Sequence, residues 1–179
     1  DALNILKSKK NRIILELIKY PSNTNNYRSC LDGELRQSVD DIIDVSKNFN
    51  IVTKASPDKA IINDLVFASI ISKHTKSNCI ILVQDYKLIG SGMGQVSRID
   101  ALNQAIEKSK KFGFKSELNN CVMASDAFFP FKDCVELANS NKIKNIIQPG
   151  GSIRDNESIE FCDKHKMTMV FTGTRHFRH

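Results

Sequence analysis

The last third of the chain alternates short apolar runs with polar, helix-forming segments, and this alternation restricts the fold more than any other feature. The apolar runs over 121–125, 144–150 and 167–173 are typical of strands, and the segments over 132–141 and 154–166 are typical of helices. Strands that alternate with helices form a largely parallel sheet with helices on both faces. The predicted fold class is therefore α/β, a three-layer unit with a mixed, mainly parallel sheet.

Further elements are predicted upstream of this alternation. The clearest start is that of a helix at Ser56, which can cap it, while Pro57 fits the first turn and Asp58 complements the positive end of the dipole. The helix over 99–112 is predicted to turn Leu102, Ala105, Ile106 and Phe112 inward. The other predictions are helices over 1–10 and 57–74, strands over 12–19, 49–55, 78–85 and 87–92 with a tight turn at Asp85–Tyr86, a loop over 21–32, and a strand and a turn within 31–44.

The net charge of +6, from 26 basic and 20 acidic residues, bears on the partners that the chain can have. Most of the lysine clusters fall at predicted helix ends, where cations favour the negative end of the dipole. Solvated helix ends explain these clusters, so no nucleic-acid partner is expected. No apolar stretch reaches the roughly 18 residues that cross a bilayer, and no basic-then-apolar leader is present. We therefore expect a cytoplasmic protein without a membrane partner.

Five cysteines are an odd count, and no two of them form a CxxC pair. A disulfide framework or a structural zinc site is therefore not expected. Cys79, Cys121 and Cys162 lie among apolar neighbours and are predicted to be small core residues.

Polar or glycine-rich segments lie at the ends of the predicted strands. Asn78 directly precedes a buried run, so its amide needs partners that a ligand could supply, although simple capping explains its neighbours equally well. Ser97 and Arg98 lead into a helix after three alternating glycines, a pattern that suits either an anion site or a flexible turn with a helix cap. The segments are 73–78, 90–98, 125–133, 148–155 and 173–179.

Two of these segments carry aromatic residues. Phe128, Phe129 and Phe131 surround Pro130, and two of the three phenylalanines are expected in the core. The remaining aromatic wall could receive a flat heterocycle. The basic, aromatic end of the chain could hold a phosphate, for which arginine is the better bidentate partner.

Taken together, the segments KHTKSN, GMGQVSRID, SDAFFPF, QPGGSIRD and FTGTRHFRH resemble the bifunctional AICAR transformylase/IMP cyclohydrolase family. The resemblance covers the whole chain and is nearly continuous from residue 73. It implies that residues 1–179 are the C-terminal portion of the transformylase domain, the second of two cytidine-deaminase-like units. The cyclohydrolase domain and the first unit would lie outside this chain.

The family moves a formyl group from 10-formyltetrahydrofolate, its co-substrate, to the 5-amino group of AICAR. The resemblance implies that Asn78 bonds the substrate near the reacting amine, as the catalytic residue of this chain. Phe128 would present its backbone to the carboxamide, Arg175 would contact the nucleotide, and Phe177 would pack beside it. A homodimer with the site at its interface is also implied, together with the rest of the same polypeptide.

The remaining implied residues belong to two further sites. The folate pocket would be lined by Arg98, Ile99, Pro130, Phe131 and Asp133. A potassium site, which some members of the family have, would be formed by Thr75, Ser77 and Asp126. Cys79 stands where other members carry a hydroxyl group, and this departure bears on that cation site.

The family's adjacent Lys–His pair, which supplies most of the acid–base chemistry, is implied to lie upstream of Asp1. Lys73–His74 belongs to a different motif, so the chain alone is expected to be an inactive fragment. The alternatives are a nucleotide-binding module without catalysis and a basic nucleic-acid binder. A zinc deaminase would need thiolates where SDAFFPF has none.

Overall fold

A computed structural model of the chain describes residues 2–19 and 24–178. The chain divides into two compact units, Asp1–Asp41 and Ile42–His179. Among the described residues, no helix is both long and apolar enough to cross a membrane.

The first unit contains helix α1 (Ala2–Lys7) and an antiparallel hairpin of β1 (Asn25–Cys30) and β2 (Gly33–Ser38). The helix predicted over 1–10 is confirmed as α1, and the strand and turn predicted within 31–44 are confirmed as well. The prediction of a loop over 21–32 is wrong for 25–30, which form β1, while 20–23 lie outside the described residues.

The predicted strand over 12–19 is also wrong, because these residues form neither helix nor strand. Its apolar side chains are largely exposed, with Ile13 at 86%, Leu15 at 89% and Ile18 at 97%. A β-branched run does not form a strand by propensity alone, since a strand needs a neighbour with which to exchange hydrogen bonds.

The second unit is built on a six-stranded sheet. Its strands are β3 (Asn50–Ile51), β4 (Ile80–Gln84), β5 (Lys87–Gly92), β6 (Val122–Ser125), β7 (Asn145–Gln148) and β8 (Thr168–Phe171), in the order β3-β8-β7-β6-β4-β5. The predicted α/β class and mixed sheet are confirmed. Parallel pairing is confined to β6–β7 and β7–β8, and the other three pairings are antiparallel. The sheet is therefore less parallel than the alternation predicts, because β4 and β5 form a hairpin and β4 runs against β6.

Helices cover both faces of this sheet. They are α2 (Lys59–Lys73), α3 (Arg98–Lys111), α4 (Asp133–Ser140) and α5 (Asp155–Lys164). Successive strand residues face opposite sides, so Ile81 and Val83 pack with Leu65 of α2, whereas Ile80 and Leu82 pack with the other three helices. This arrangement confirms the three predicted layers.

Helix ends depart from the sequence predictions at two positions. Asp58, not Ser56, caps α2, because its carboxylate accepts a hydrogen bond from the Ile61 amide at 2.9 Å. Phe112 is 67% exposed, which overturns its predicted inward orientation, since α3 ends at Lys111. Leu102, Ala105 and Ile106 are buried as predicted.

The predicted tight turn between β4 and β5 is confirmed. Asp85 and Tyr86 have φ values of 50° and 56°, which is the left-handed region that such a two-residue hairpin needs. The buried Asp64 carboxylate accepts hydrogen bonds from both of their amides, at 2.7 and 2.8 Å. A carboxylate on α2 thus offsets the unfavourable backbone conformation of the turn.

Cys79, Cys121 and Cys162 are fully buried, which confirms that they are core residues, and Cys134 is buried with them. Burial raises the pKa of Cys121 and of Cys162 to about 12, and it also raises the pKa of Cys79 and Cys134. A thiol whose pKa is higher in the folded than in the unfolded state contributes fully to stability below its unfolded-state pKa. That contribution is lost as pH rises through the folded-state pKa.

At pH 8, one thiol of the native chain, that of the exposed Cys30, is expected to react quickly with a disulfide reagent such as DTNB. The four buried thiols should react only after denaturation. The free energy of unfolding should decline as pH rises from 9 toward 12. Cys30→Ser is the matched control and should abolish the fast reaction. Fast reaction of more than one thiol would contradict the burial described here.

Candidate active site

Five loops meet at one edge of the six-stranded sheet. Ile80, at the start of β4, pairs with both Gly92 at the end of β5 and Ser125 at the end of β6. The parallel strands β7 and β8 end at the same edge, where Gln148 pairs with Phe171. The segments predicted to carry function therefore converge, since all five begin or end at these positions.

Asp126 directly follows β6 and links three of these loops. Its Oδ1 accepts a hydrogen bond from the Cys79 amide at 3.3 Å and lies 3.6 Å from Arg98 Nη2. Its backbone carbonyl accepts a hydrogen bond from the His176 amide at 3.0 Å. The side chain is fully buried, and its Oδ2 has no hydrogen-bond partner in the described structure. A buried carboxylate oxygen in this state is suited to a ligand or a cation.

Arg98 is the first residue of α3, and Ser97 caps this helix by accepting a hydrogen bond from the Asp100 amide. Its side chain is 13% exposed, and its Nε and Nη2 make no hydrogen bond within the described part of the chain. The guanidinium lies 5.6 Å from the centre of the Phe177 ring. A nearly buried guanidinium with unused donors is suited to a planar or anionic ligand.

The end of the chain is part of this site. The guanidinium of the exposed Arg175 lies 4.5 Å from the Phe177 ring, so one ring contacts two arginines. Residues 173–178 are called the tail. Ser77 holds the tail through two hydrogen bonds, from its amide to the Arg178 carbonyl and from the Arg178 amide to its hydroxyl, each 3.0 Å. The structure therefore brings together Arg175 and Phe177, which the resemblance assigns to the nucleotide, and Arg98, which it assigns to folate.

Asn78 is held by the glycine-containing loop after β5. Its side-chain Nδ2 donates a hydrogen bond to the Gln95 carbonyl at 2.9 Å, and the two backbones pair at 3.3 and 3.4 Å. Nδ2 uses one of its two N–H groups in this bond, so the Oδ1 acceptor and the second N–H are left to bind a ligand. The contact with Gln95 was not predicted from the sequence, because Gln95 makes it through its backbone.

The loop after β6 divides its aromatic residues between core and surface. Phe129 is fully buried, and its amide donates to Gln148 Oε1 at 3.3 Å. Phe128 is half-buried, whereas Phe131 is 52% exposed with the Arg154 guanidinium 5.0 Å from its ring centre. Two of the three phenylalanines were expected in the core, but only Phe129 is fully buried. Pro130 is exposed beside them.

Two predicted folate residues have mainly structural surroundings. Ile99 is partly buried and packs against the core from α3. Asp133 begins α4, where its Oδ1 accepts a hydrogen bond from the Cys134 amide at 2.8 Å. After burial, the Asp133 charge is the next cause that raises the pKa of Cys134, and Arg98 lowers it, so both charges act on one thiol.

The predicted cation ligands have oxygen atoms with lone pairs to spare. Thr75 Oγ1 donates to the Ile71 carbonyl at 2.7 Å, and Ser77 Oγ accepts from the Arg178 amide, so each hydroxyl keeps lone pairs. Asp126 Oδ2 is buried without a partner. Oxygen ligands of this kind fit a hard cation. In residues 2–19 and 24–178 no group of three or more histidine, cysteine or acidic side chains could hold a metal ion.

A family model described as "AICARFT/IMPCHase bienzyme" matches residues 1–108. The chain belongs to this family. The bifunctional purine biosynthesis protein PurH of Bacteroides thetaiotaomicron is 49% identical over 179 residues, which is 100% of this chain and 35% of that protein. The PurH protein of Clostridioides difficile is 46% identical over 180 residues, 100% of this chain and 34% of the relative. The chain thus spans about a third of the length of these AICARFT/IMPCHase relatives.

Among solved structures, a Thermotoga maritima diaminohydroxyphosphoribosylaminopyrimidine deaminase/5-amino-6-(5-phosphoribosylamino)uracil reductase matches with a TM-score of 0.41 and 15% identity. The match covers 63% of this chain and 35% of that chain. A TM-score this low supports no conclusion about the present chain. Its membership of the AICARFT/IMPCHase family rests on the family model.

Proposed function

We propose that this chain forms part of a formyltransferase site in which a formyl group passes from 10-formyltetrahydrofolate to the 5-amino group of AICAR. The whole protein would also cyclise the product to IMP. One observation supports this most: Asn78, Arg98, Asp126 and the Arg175–Phe177 pair, all within motifs of the family, meet at one sheet edge.

The reaction forms a bond between the amine nitrogen of AICAR and the formyl carbon, and it breaks the bond between that carbon and the folate nitrogen. The amine loses one proton, and the folate nitrogen gains one. The amine is a weak nucleophile because it is conjugated with its ring and carboxamide. Orientation of the two substrates and acceptance of that proton are therefore the main tasks of the site.

In this proposal Asn78 Oδ1 accepts a hydrogen bond from the reacting amine or the adjacent carboxamide, while one N–H of Nδ2 stays bonded to the Gln95 carbonyl. The backbone of the half-buried Phe128 would bind the carboxamide from the loop after β6. Arg175 would contact the nucleotide, with Phe177 packed beside it. Each of these roles uses an acceptor, donor or ring that lies at the shared edge.

For folate, Arg98 supplies unused guanidinium donors beneath the Phe177 ring. Phe131 and Pro130 add an exposed aromatic and apolar surface, and Ile99 and Asp133 lie in the first turns of α3 and α4. Because Arg98 and Arg175 contact the same ring, the two substrates would meet across Phe177.

Three further parts of the proposal concern the surroundings of the site. A potassium ion bound by Asp126, Thr75 and Ser77 would supply positive charge beside Arg98, and the unpartnered Asp126 Oδ2 supports it. A cytoplasmic homodimer with the site at its interface would complete the assembly. The base that accepts the amine proton would be the adjacent Lys–His pair upstream of this chain, so the chain alone would not transfer formyl groups.

The test is a formyl-transfer assay with AICAR and 10-formyltetrahydrofolate on the full-length protein, this chain, the upstream segment and an equimolar mixture of the two pieces. Activity in the full-length protein and the mixture, but not in either piece, supports the proposal. Activity of this chain alone would place the base within it, with His74 the first candidate. AICAR binding without formyl transfer by the full-length protein would favour a nucleotide-binding module. Indifference to AICAR, with strongly salt-dependent binding to nucleic acid, would favour the third alternative.

Arg175→Ala in the full-length protein is expected to raise the Kd for AICAR about tenfold and to leave kcat within about threefold, because its contact is with bound nucleotide and not with the reacting atoms. Calorimetric titration and steady-state kinetics measure the two effects. Arg178→Ala is the matched control, since it removes the same charge from a side chain that contacts the His74 carbonyl instead. An unchanged Kd in the Arg175 variant would exclude that residue from the site.

A further inference from the structure

A buried histidine near the end of the chain is not used by the formyl-transfer proposal. His176 is 3% exposed, although Arg175 before it is exposed and Phe177 after it is half-buried. Its Nε2 lies 3.0 Å from Oδ2 of Asp44, whose side chain is 5% exposed. The hydroxyl of the buried Ser69, on α2, donates a hydrogen bond to the same oxygen. These three residues, Ser69, Asp44 and His176, are called the tail anchor.

The tail anchor lies on the opposite face of the tail from the candidate site. Arg175 contacts the Phe177 ring, whereas His176 between them is buried and bonded to Asp44, so His176 is directed away from the other two side chains. Phe177 is turned toward Arg98, which it contacts. His176 is instead directed into the second unit, where Asp44 receives it.

The backbone of the tail is also tethered, but its tethers alone do not determine which face meets the site. The His176 amide bonds the Asp126 carbonyl, and the Arg178 amide bonds the Ser77 hydroxyl. These bonds fix the position of the chain between two loops. The bond from His176 to a buried carboxylate fixes its rotation, because loss of that partner would leave Asp44 with an unmet hydrogen-bonding need inside the unit.

We infer that the tail anchor is a positioning device that holds Arg175 and Phe177 against Arg98 and thereby sets the affinity of the site for its nucleotide substrate. The part of this inference that concerns substrate rests on the proposed function. His176 touches neither substrate in this scheme; it acts through the two residues that flank it.

The experiment compares His176→Leu with His176→Gln in the full-length protein, because the glutamine amide nitrogen can replace Nε2 as the partner of Asp44. The leucine variant should raise the KM for AICAR about tenfold with kcat within about threefold, whereas the glutamine variant should keep both within about threefold of the parent. A merely structural role would lower the melting temperature and the active fraction without moving KM. An unchanged KM in the leucine variant, or equal impairment in both variants, would overturn the inference.

A second readout does not depend on catalysis. Hydrogen exchange of the C-terminal peptide, followed by mass spectrometry, should be about tenfold faster in His176→Leu and near the parent rate in His176→Gln. If the parent protein transfers no formyl group, the proposed function fails, while this exchange pattern would still support the anchor. Equal exchange in the parent and the leucine variant would overturn the anchor even in an active enzyme.

Ser69→Ala covers the case in which the leucine variant does not fold, because it changes only a donor on α2. It should raise KM and tail exchange in the same direction by a smaller factor, about threefold. No change in either quantity would count against the anchor.

Discussion

Replacement of Asn78 by alanine in the full-length protein is expected to lower kcat for formyl transfer about 100-fold while the Kd for AICAR rises less than about threefold. Two backbone bonds and one side-chain bond to Gln95 hold Asn78 in place, and the proposal puts it beside the reacting amine. Its Oδ1 would interact most strongly as the amine gains positive charge on attack. An interaction that strengthens in the transition state raises kcat rather than affinity.

Stopped-flow or steady-state assays of formyl transfer, together with calorimetric titration of AICAR, measure the two quantities. Asn103→Ala is the matched control, since Asn103 is an exposed residue of α3 and its loss should change neither. Equal losses of kcat and affinity would assign Asn78 to uniform substrate binding. An unaltered kcat would remove it from the reacting centre.

Gly92→Ala should destabilise the chain by about 3 kcal/mol or more, which is at the upper end for an overpacked site. A Cβ at residue 92 would lie 1.9 Å from the Ala101 carbonyl oxygen and 2.6 Å from its carbon. Both atoms belong to the backbone of α3, so no side-chain rotation can relieve the clash. The strand β5 and the helix α3 would have to separate, and the loop that holds Asn78 begins at the next residue.

Urea unfolding of the full chain, followed by circular dichroism, measures this loss as a lower transition midpoint. Gly113→Ala is the control, because nothing lies within 4 Å of a Cβ there and only its φ of 88° opposes the substitution. That conformation costs on the order of 1 kcal/mol. A Gly92 variant no less stable than the Gly113 variant would show that β5 and α3 are not as close as described.

Local patterns predicted the elements of the second unit well. The strands over 78–85 and 87–92 and the alternation after residue 121 were found because buried strands are apolar and helices have a 3.6-residue period. The same reasoning failed for residues 12–19, whose β-branched side chains have no partner strand in the described structure. It also named Ser56 as the cap of α2, where the structure has Asp58, since both residue types suit that position.

The residues of the candidate site could be predicted from the sequence, but the long-range contact behind them could not. Asn78, Arg98 and Asp126 were assigned roles from motifs, and strand order explains why their loops share an edge. The anchor residue Asp44 was not predicted, because it lies 132 positions from His176 in sequence. No local pattern signals a hydrogen bond of that separation, although the alternation of exposed and buried residues at the end of the chain is compatible with it.

The sequence by itself determined the α/β class and the positions of most helices and strands from residue 57 onward, because these depend on neighbours within a few turns of chain. It also indicated the segments that form the candidate site. Tertiary structure alone decided the direction of β4 in the sheet, the meeting of Arg98 and Arg175 on Phe177, and the burial of His176 against Asp44. Each of these depends on pairing between distant segments. Such pairing is selected by the packing of the whole unit and not by the preferences of the residues that take part in it.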